Sequence, residues 1–175
     1  MANGAKFVVG PVLNPDVAKV CNRRKIPYSP GCGSASEIGF AEELGCEIVK
    51  VFPSSSVGGA DYVRSVLGPM PWTRIMPTGG VEPTEASLRQ WFGAGIVACG
   101  IGSNLITRDL LRARDYAGSE RKARDTIDLT LGTCGGVVSC GTCLVELDAA
   151  SAARLPTAGE DEHGKPYRFS NGEVR

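Results

Sequence analysis

The sequence predicts an α/β protein built on parallel strands, and three observations carry that prediction. Short apolar runs alternate with amphipathic segments from residue 4 to about residue 131. They return every 20–25 residues or so, the spacing of βα units, in which each strand is followed by a crossover helix. Near residue 132 the pattern stops, and glycine, serine and cysteine take over.

The apolar runs are AKFVVGP (5–11), KIPYSPG (25–31), CEIVKVFP (46–53), TRIMPTGG (73–80) and GIVACGIGS (95–103). Each ends in Pro or Gly or shortly after, or in the Ser of a glycine turn, as expected of short buried strands. Between them, NPDVAKVCNRRK, SASEIGFAEELG, GGADYVRSVLG and EPTEASLRQWFG carry apolar residues at helical spacing. Ile38, Ala41 and Leu44 form one such stripe, and Tyr62, Val66 and Leu67 another. Ser34 or Ser36, and Thr84, are expected N-caps, with Gly45, Gly68 and Gly93 as C-terminal stops. A last helix is predicted from Thr107 towards Leu131, with a break near Tyr116–Gly118.

Parallel units can form a doubly wound sheet or a barrel. No GxGxxG follows the first strand, so dinucleotide binding has no support. A (β/α)8 TIM barrel closes with eight strands in about 250 residues, whereas five apolar runs occur here. The expectation is a partial barrel, roughly the last five βα units, over residues 1–131, followed by an irregular, disordered cysteine-containing tail over 132–175. An open five-stranded parallel sheet exposes an unpaired edge and lumen side chains. That is a physical objection to the chain being a complete barrel.

Composition narrows the class of function. Lys+Arg and Asp+Glu are equal at 19 each, so no basic excess speaks for nucleic acid and no charged tail for a membrane surface. No apolar run approaches the roughly 20 residues of a membrane span, and MANGAKFVVGPVLNPD has no signal-peptide pattern. Cys21, Cys32, Cys46 and Cys99 sit among apolar neighbours and read as reduced, mostly buried thiols, which suggests the cytoplasm.

CEIVKVFP contains the unusual residue. Strand side chains alternate faces, so Val49 and Val51 face one way and Ile48, Lys50 and Phe52 the other. The β-branched valines suit the helix side, which puts Lys50 on the lumen side near the strand's C-terminal end, where barrel active sites lie. Burial of an ammonium lowers its pKa, and a neutral amine can attack a carbonyl to form a Schiff base. The alternative is a lysine that snorkels from the strand end to solvent. Two neighbouring strand ends bear on the choice: Thr78, Gly79 and Gly80, then Gly102 and Ser103. Glycine-rich ends of this kind expose N–H groups that can hold an anion, and barrels often build a phosphate site after strands seven and eight.

In these residues the chain resembles the class I aldolases for 2-keto-3-deoxy-6-phosphogluconate and 4-hydroxy-2-oxoglutarate. The resemblance spans residues 4–118 through GAKFVVGPVLNPDV, IPYSPGCGSASEI, EIVKVFPSSSVGG, LGPMPWTRIMPTGGV and GIGSNL, in the family's order. It implies a homotrimeric barrel that cleaves a keto-acid substrate to pyruvate and an aldehyde. By motif it makes Lys50 the Schiff-base lysine and Thr78 the contact for the pyruvyl carboxylate. Gly79, Gly80, Gly102 and Ser103 match the phosphate-binding positions, and Phe52 and Pro11 match pocket-lining ones. It implies no cofactor beyond the covalent Schiff base on Lys50. The family's general base is a glutamate on an early strand, accompanied by an arginine, and nothing here matches either by motif. Glu37, Glu42, Glu43 and Glu47 read as helix-surface or strand-edge residues. Weak or absent activity is therefore expected of this chain alone.

TCGGVVSCGTC places Cys134, Cys140 and Cys143 at C-x5-C-x2-C spacing. With the following LVELDAASAARLPTAGEDE, residues 132–162 resemble the cluster loop of vertebrate-type [2Fe–2S] ferredoxins. A cluster needs four thiolates, and no cysteine follows Cys143. Cys46 or Cys99 could replace the fourth only if released from the core. The reading kept is that these three thiols bind no cluster; the alternative is an electron-transfer module joined to a degenerate barrel. His163 stands in a polar tail and reads as solvated. A visible spectrum of the purified chain separates the readings: no sulfur-to-iron charge-transfer band is expected, and a band that persists through chelation and gel filtration would reverse the choice.

Overall fold

The computed structural model describes residues 5–133, with the backbone alone at 131–133. Six helices and five short strands occur among the described residues; all lie within the predicted segments except β3, which runs one residue past the second apolar run to Cys32, and α6, which continues to Thr133. Cys134, Cys140, Cys143 and the tail that follows lie outside the described residues.

Local chemistry sets the helix boundaries. α1 (Pro15–Arg24) opens with proline in its first turn, where a missing N–H costs nothing. The Asn14 side chain caps it, accepting from the N–H groups of Asp16 at 2.9 Å and Val17 at 3.2 Å. α2 (Ala35–Glu43) starts with a capping box: Ser34 Oγ accepts from Glu37 N at 3.3 Å, and Glu37 Oε2 accepts from Ser34 N at 3.0 Å. Ser34, not Ser36, is thus the cap. α3 (Gly59–Leu67) follows a glycine turn and ends at Gly68, while α4 (Glu85–Phe92) is capped by Thr84 and ends at Gly93. The predicted last helix is two helices, α5 (Arg108–Arg112) and α6 (Tyr116–Thr133). Between them Arg114 takes a left-handed conformation, and Asp115 Oδ1 accepts from Gly118 N at 2.8 Å. A carboxylate at that point satisfies the new helix's free N–H groups.

The strands pair in parallel and in chain order. β1 (Val8–Val9) pairs with β2 (Tyr28–Ser29), with Val8 opposite Tyr28. β3 (Gly31–Cys32) pairs with β4 (Val49–Val51), and β4 with β5 (Ile75–Pro77). Pro30 separates β2 from β3 because it has no N–H to donate to a ladder. Its carbonyl still accepts from Lys50 N at 2.9 Å, so 28–32 is one interrupted strand that passes from one neighbour to the next. The predicted fifth strand is reduced to a bridge between Thr78 and Gly100, supported by Val97 N to Ile75 O at 3.1 Å and Gly100 N to Pro77 O at 2.8 Å. Gly95 and Gly100 weaken this run, because glycine brings entropy and no packing side chain.

One face of these strands builds the core. Cys32, Val49, Val51 and Ile75 are at most 1% exposed. They belong to one cluster with Ile38 of α2, Val63 and Val66 of α3, and Leu88 and Trp91 of α4. The other face is open at β1: Val9 is 43% exposed and Phe7, just before the strand, 65%. Among the described residues β1 pairs on one side only. Cys21, Cys32 and Cys46 are buried free thiols, and Cys99 is half-buried. Burial, then the nearby Glu37 charge, pushes the Cys32 thiol up to about 12.

If this cluster is the core, Ile75→Ala leaves a cavity under β4 and α4 and costs about 2–5 kcal/mol, read as a lower urea midpoint. A loss below about 0.5 kcal/mol, the scale of a surface change, would remove Ile75 from the core.

Candidate active site

The site is built where three strands end side by side. Lys50 on β4 lies in register between Gly31 of β3 and Met76 of β5. Paired residues of adjacent strands share a face, and so do residues two apart along a strand. Gly31, Lys50 and Met76, then Gly33, Phe52 and Thr78, therefore share the face opposite the core. The Thr78–Gly100 bridge extends this row to the next strand end.

Lys50 is 9% exposed, so it does not snorkel into solvent. Its Nζ stands 4.5 Å from the centroid of the Phe52 ring. Among the described residues it has no carboxylate partner. Burial lowers its pKa from the ordinary 10.5. The ring's negative face opposes that trend, since it attracts the ammonium form. The result is a positioned amine whose charge is disfavoured.

The loop after β1 covers the neighbouring strand. A Cβ on Gly31 would stand 2.0 Å from the Pro11 carbonyl oxygen, so glycine alone allows the two segments to cross. Tyr28 holds this loop: its hydroxyl donates to Val12 O at 2.9 Å and accepts from Asn14 N at 3.3 Å. Pro11, Leu13, Gly31, Gly33, Glu37 and Phe52 help line an open hollow of about 390 Å³. Pro11 and Phe52, expected as pocket residues, thus line one hollow; Lys50 and Thr78 lie outside its walls. Glu37 lines it too, but its Oε2 accepts from Gly33 N at 2.7 Å and from Ser34 N at 3.0 Å. That carboxylate is engaged as a helix cap.

The second part is the turn after β5. Gly79 and Gly80 have φ of +88° and +89°, a region that side chains rarely enter. The Thr78 side chain lies against Gly100, where an added Cβ would come within 2.4 Å of Thr78 Oγ1. Thr78 O accepts from Ser54 N at 3.0 Å and Gly79 O from Ser55 N at 3.0 Å. The N–H groups of Gly80, Gly102 and Ser103 find no acceptor among the described residues, while the Thr78–Gly100 bridge turns that of Gly79 towards the Gly100 carbonyl. Gly102 and Ser103 open a loop tied down by Lys122 of α6, which donates to Asn104 O at 2.7 Å. Tyr28 and Ser54 escaped the sequence reading, because an aromatic in a strand and a serine in a serine-rich loop carry no signal by themselves.

A buried strand-end lysine beside glycine turns with free N–H groups, on parallel βα units, defines an α/β protein of the kind that carries its site at the C-terminal ends of its strands. A family model described as KDPG and KHG aldolase matches residues 1–121, and the chain belongs to that family. It is 36% identical over 129 residues to the 2-dehydro-3-deoxy-phosphogluconate aldolase of Haemophilus influenzae, covering 73% of this chain and 59% of that protein. It is 32% identical over 125 residues to the KHG/KDPG aldolase of Escherichia coli K12, covering 71% and 58%. The crystal structure of the 4-hydroxy-2-oxoglutarate/2-dehydro-3-deoxyphosphogluconate aldolase from TTHB1 superposes with a TM-score of 0.62 at 30% identity, covering 74% of this chain and 60% of that one. The chain thus spans about three-fifths of the length of the relatives it matches.

The lowered Lys50 pKa fixes a sign. Between the folded-state value and 10.5 the unfolded chain binds more protons, so stability rises with pH across that window. Below it the folded chain carries the cost of an enclosed ammonium. Lys50→Met should therefore raise the urea midpoint at pH 7, by an amount that shrinks as pH approaches 10.5. A variant less stable than wild type at pH 7 would contradict this account.

Proposed function

We propose that residues 1–131 are the C-terminal part of a class I aldolase barrel, about the last five βα units, with Lys50 as the Schiff-base nucleophile. The single observation that carries the reading is the enclosed amine of Lys50, on the same strand face as Thr78 and beside the glycine turn of Gly79 and Gly80. The substrate class is a 2-keto acid with a hydroxyl at C4, phosphorylated or not. Thr78 contacts the carboxylate of the pyruvyl part. Gly79 shapes the turn, the N–H groups of Gly80, Gly102 and Ser103 hold the distal anion, and Phe52 and Pro11 bound the pocket.

The neutral amine attacks the C2 carbonyl, and loss of water leaves an iminium. A base removes the C4 hydroxyl proton, the C3–C4 bond breaks, and its electrons pass into the iminium as an enamine while C4 leaves as an aldehyde. Protonation at C3 and hydrolysis release pyruvate. No metal or redox cofactor takes part in this sequence. The enclosed site contributes by disfavouring the ammonium form, so that a larger share of amine is nucleophilic at neutral pH. No helix of the described residues is long and apolar enough to cross a membrane. The reading includes a cytoplasmic setting and the trimeric assembly implied by the family resemblance. By sequence, residues 132–175 are read as not belonging to the lyase part.

The general base is the weak point. Glu37, the carboxylate that lines the hollow, is committed to its capping box. This chain is therefore proposed to form the imine yet cleave its substrate slowly, by about the 10²–10⁴-fold that general base catalysis supplies.

Borohydride added to the full chain with pyruvate should trap a covalent adduct that peptide mapping assigns to Lys50, and Lys50→Arg should abolish it. Absence of an adduct in folded wild-type protein would sink the Schiff-base assignment. Cleavage at the rate of the Haemophilus influenzae relative, assayed by pyruvate release, would instead refute the slow-cleavage claim.

A further inference from the structure

The Pro11–Val12 peptide lies across Gly31: a Cβ there would collide with the Pro11 carbonyl and stand 3.0 Å from Val12 N. Gly31 pairs with Lys50, and paired residues of adjacent strands share a face about 4.8 Å apart. The peptide therefore takes the place of the missing side chain, beside the Lys50 stem. Among the described residues, one hydrogen bond alone reaches the backbone of residues 11–13: the Tyr28 hydroxyl donates to Val12 O at 2.9 Å. That hydroxyl also accepts from Asn14 N at 3.3 Å, so a single side chain grips the loop at two points. Tyr28 is 6% exposed and belongs to the core cluster, which gives the grip a fixed base. Gly10 leaves room for it: an added Cβ there would press on the hydroxyl at 3.1 Å and on Val12 O at 3.2 Å.

We infer that Tyr28 is a positioning residue for the Lys50 amine: its hydroxyl holds the Val12 carbonyl and so keeps the Pro11–Val12 peptide across Gly31, closing one side of the strand face on which Lys50 stands. This rests on the reading of Lys50 as the imine-forming amine and deepens it, by assigning the enclosure of that amine to a tyrosine whose ring lies in the core. Tyr28 acts through the loop and not on the amine itself. The Lys50 face presents Gly31 and Gly33 on one side, Phe52 on β4 itself, Met76 and Thr78 on the other side and Pro11 in the loop, none of which titrates. By alternation the charged side chain on that face is Arg74, two residues before Met76. Glu37, at the edge of the hollow, is tied into its capping box. Burial lowers the Lys50 pKa, so a loosened loop, by admitting water, moves it back up towards the ordinary 10.5.

The experiment labels the lysine Cε carbons of the full chain with 13C and follows the Lys50 signal by NMR between pH 7 and 10, assigned with Lys50→Arg. Burial raises the Tyr28 pKa above its ordinary 10.0, so the hydroxyl stays a donor across that range. Tyr28→Phe removes the hydroxyl and keeps the ring. It should move the Lys50 titration to higher pH and slow borohydride trapping of pyruvate at pH 7 by about two- to tenfold, the scale of one hydrogen bond. Gly10→Ala, which presses on the same hydroxyl, should act in the same direction. Leu88→Ala, a cut on the α4 side of the core, should lower the urea midpoint and leave the Lys50 titration in place. A merely structural role would move the Lys50 titration in Leu88→Ala as much as in Tyr28→Phe, and that result would overturn the inference. A titration unchanged in folded Tyr28→Phe and Gly10→Ala would overturn it too, while leaving the amine assignment standing. Should wild type trap no pyruvate, the imine reading fails, and the Lys50 titration in the variants still decides the grip.

Discussion

The structure depends on one constraint: an amine must be enclosed at position 50 without being neutralised by a counter-ion. A strand is the element that can do this, because alternation puts a polar side chain on one face while both neighbours stay in the core. Val49 and Val51, at most 1% exposed, anchor β4 under α2 and α3 so firmly that the register of Lys50 is not free to slip. A one-residue slip would place an ammonium in the hydrophobic core and two valines on the open face. The cost of that exchange is what holds the register.

Enclosure then depends on one neighbour having no side chain. Gly31 and Met76 flank Lys50, and the loop after β1 can cross Gly31 because no side chain intervenes. Tyr28 closes this arrangement from the core side by bonding to Val12 O and Asn14 N. On the opposite flank the serine loop after β4 braces the glycine turn after β5. The site is thus a set of short strands whose ends are held by each other's loops. The strands themselves are only two or three residues long. Such short ladders add little stability, and most of it resides in the apolar layer beneath them.

Much of the fold was legible in the sequence for local reasons. Ser34 and Thr84, two of the expected caps, hold their helices with side chains that reach only three residues ahead, so sequence proximity suffices to find them; Asn14 and Thr107 cap in the same local way but were not singled out. A break was expected near Tyr116–Gly118, and the structure has it just before, between Arg112 and Tyr116. The interruption at Pro30 was not read, although its cause is local. The weak pairing near Gly100 was missed because a run of apolar residues looks like a strand whether or not a ladder forms around its glycines. The Glu37 capping box was read as a helix-surface residue, and its place at the edge of the hollow needed the crossing of the Pro11 loop to become apparent.

The sequence by itself determined the class of chain, the lysine, and the glycine turns, because alternation, caps and Pro/Gly punctuation act within a few residues. The tertiary structure alone decided which strand ends stand side by side and what holds them. The contacts of Tyr28 with Val12, Gly31 with Pro11, and Ser54 with Gly79 join residues 16 to 25 positions apart. Contacts of that kind leave no periodic trace in a sequence, since each depends on chain segments brought together only when the apolar layer is buried.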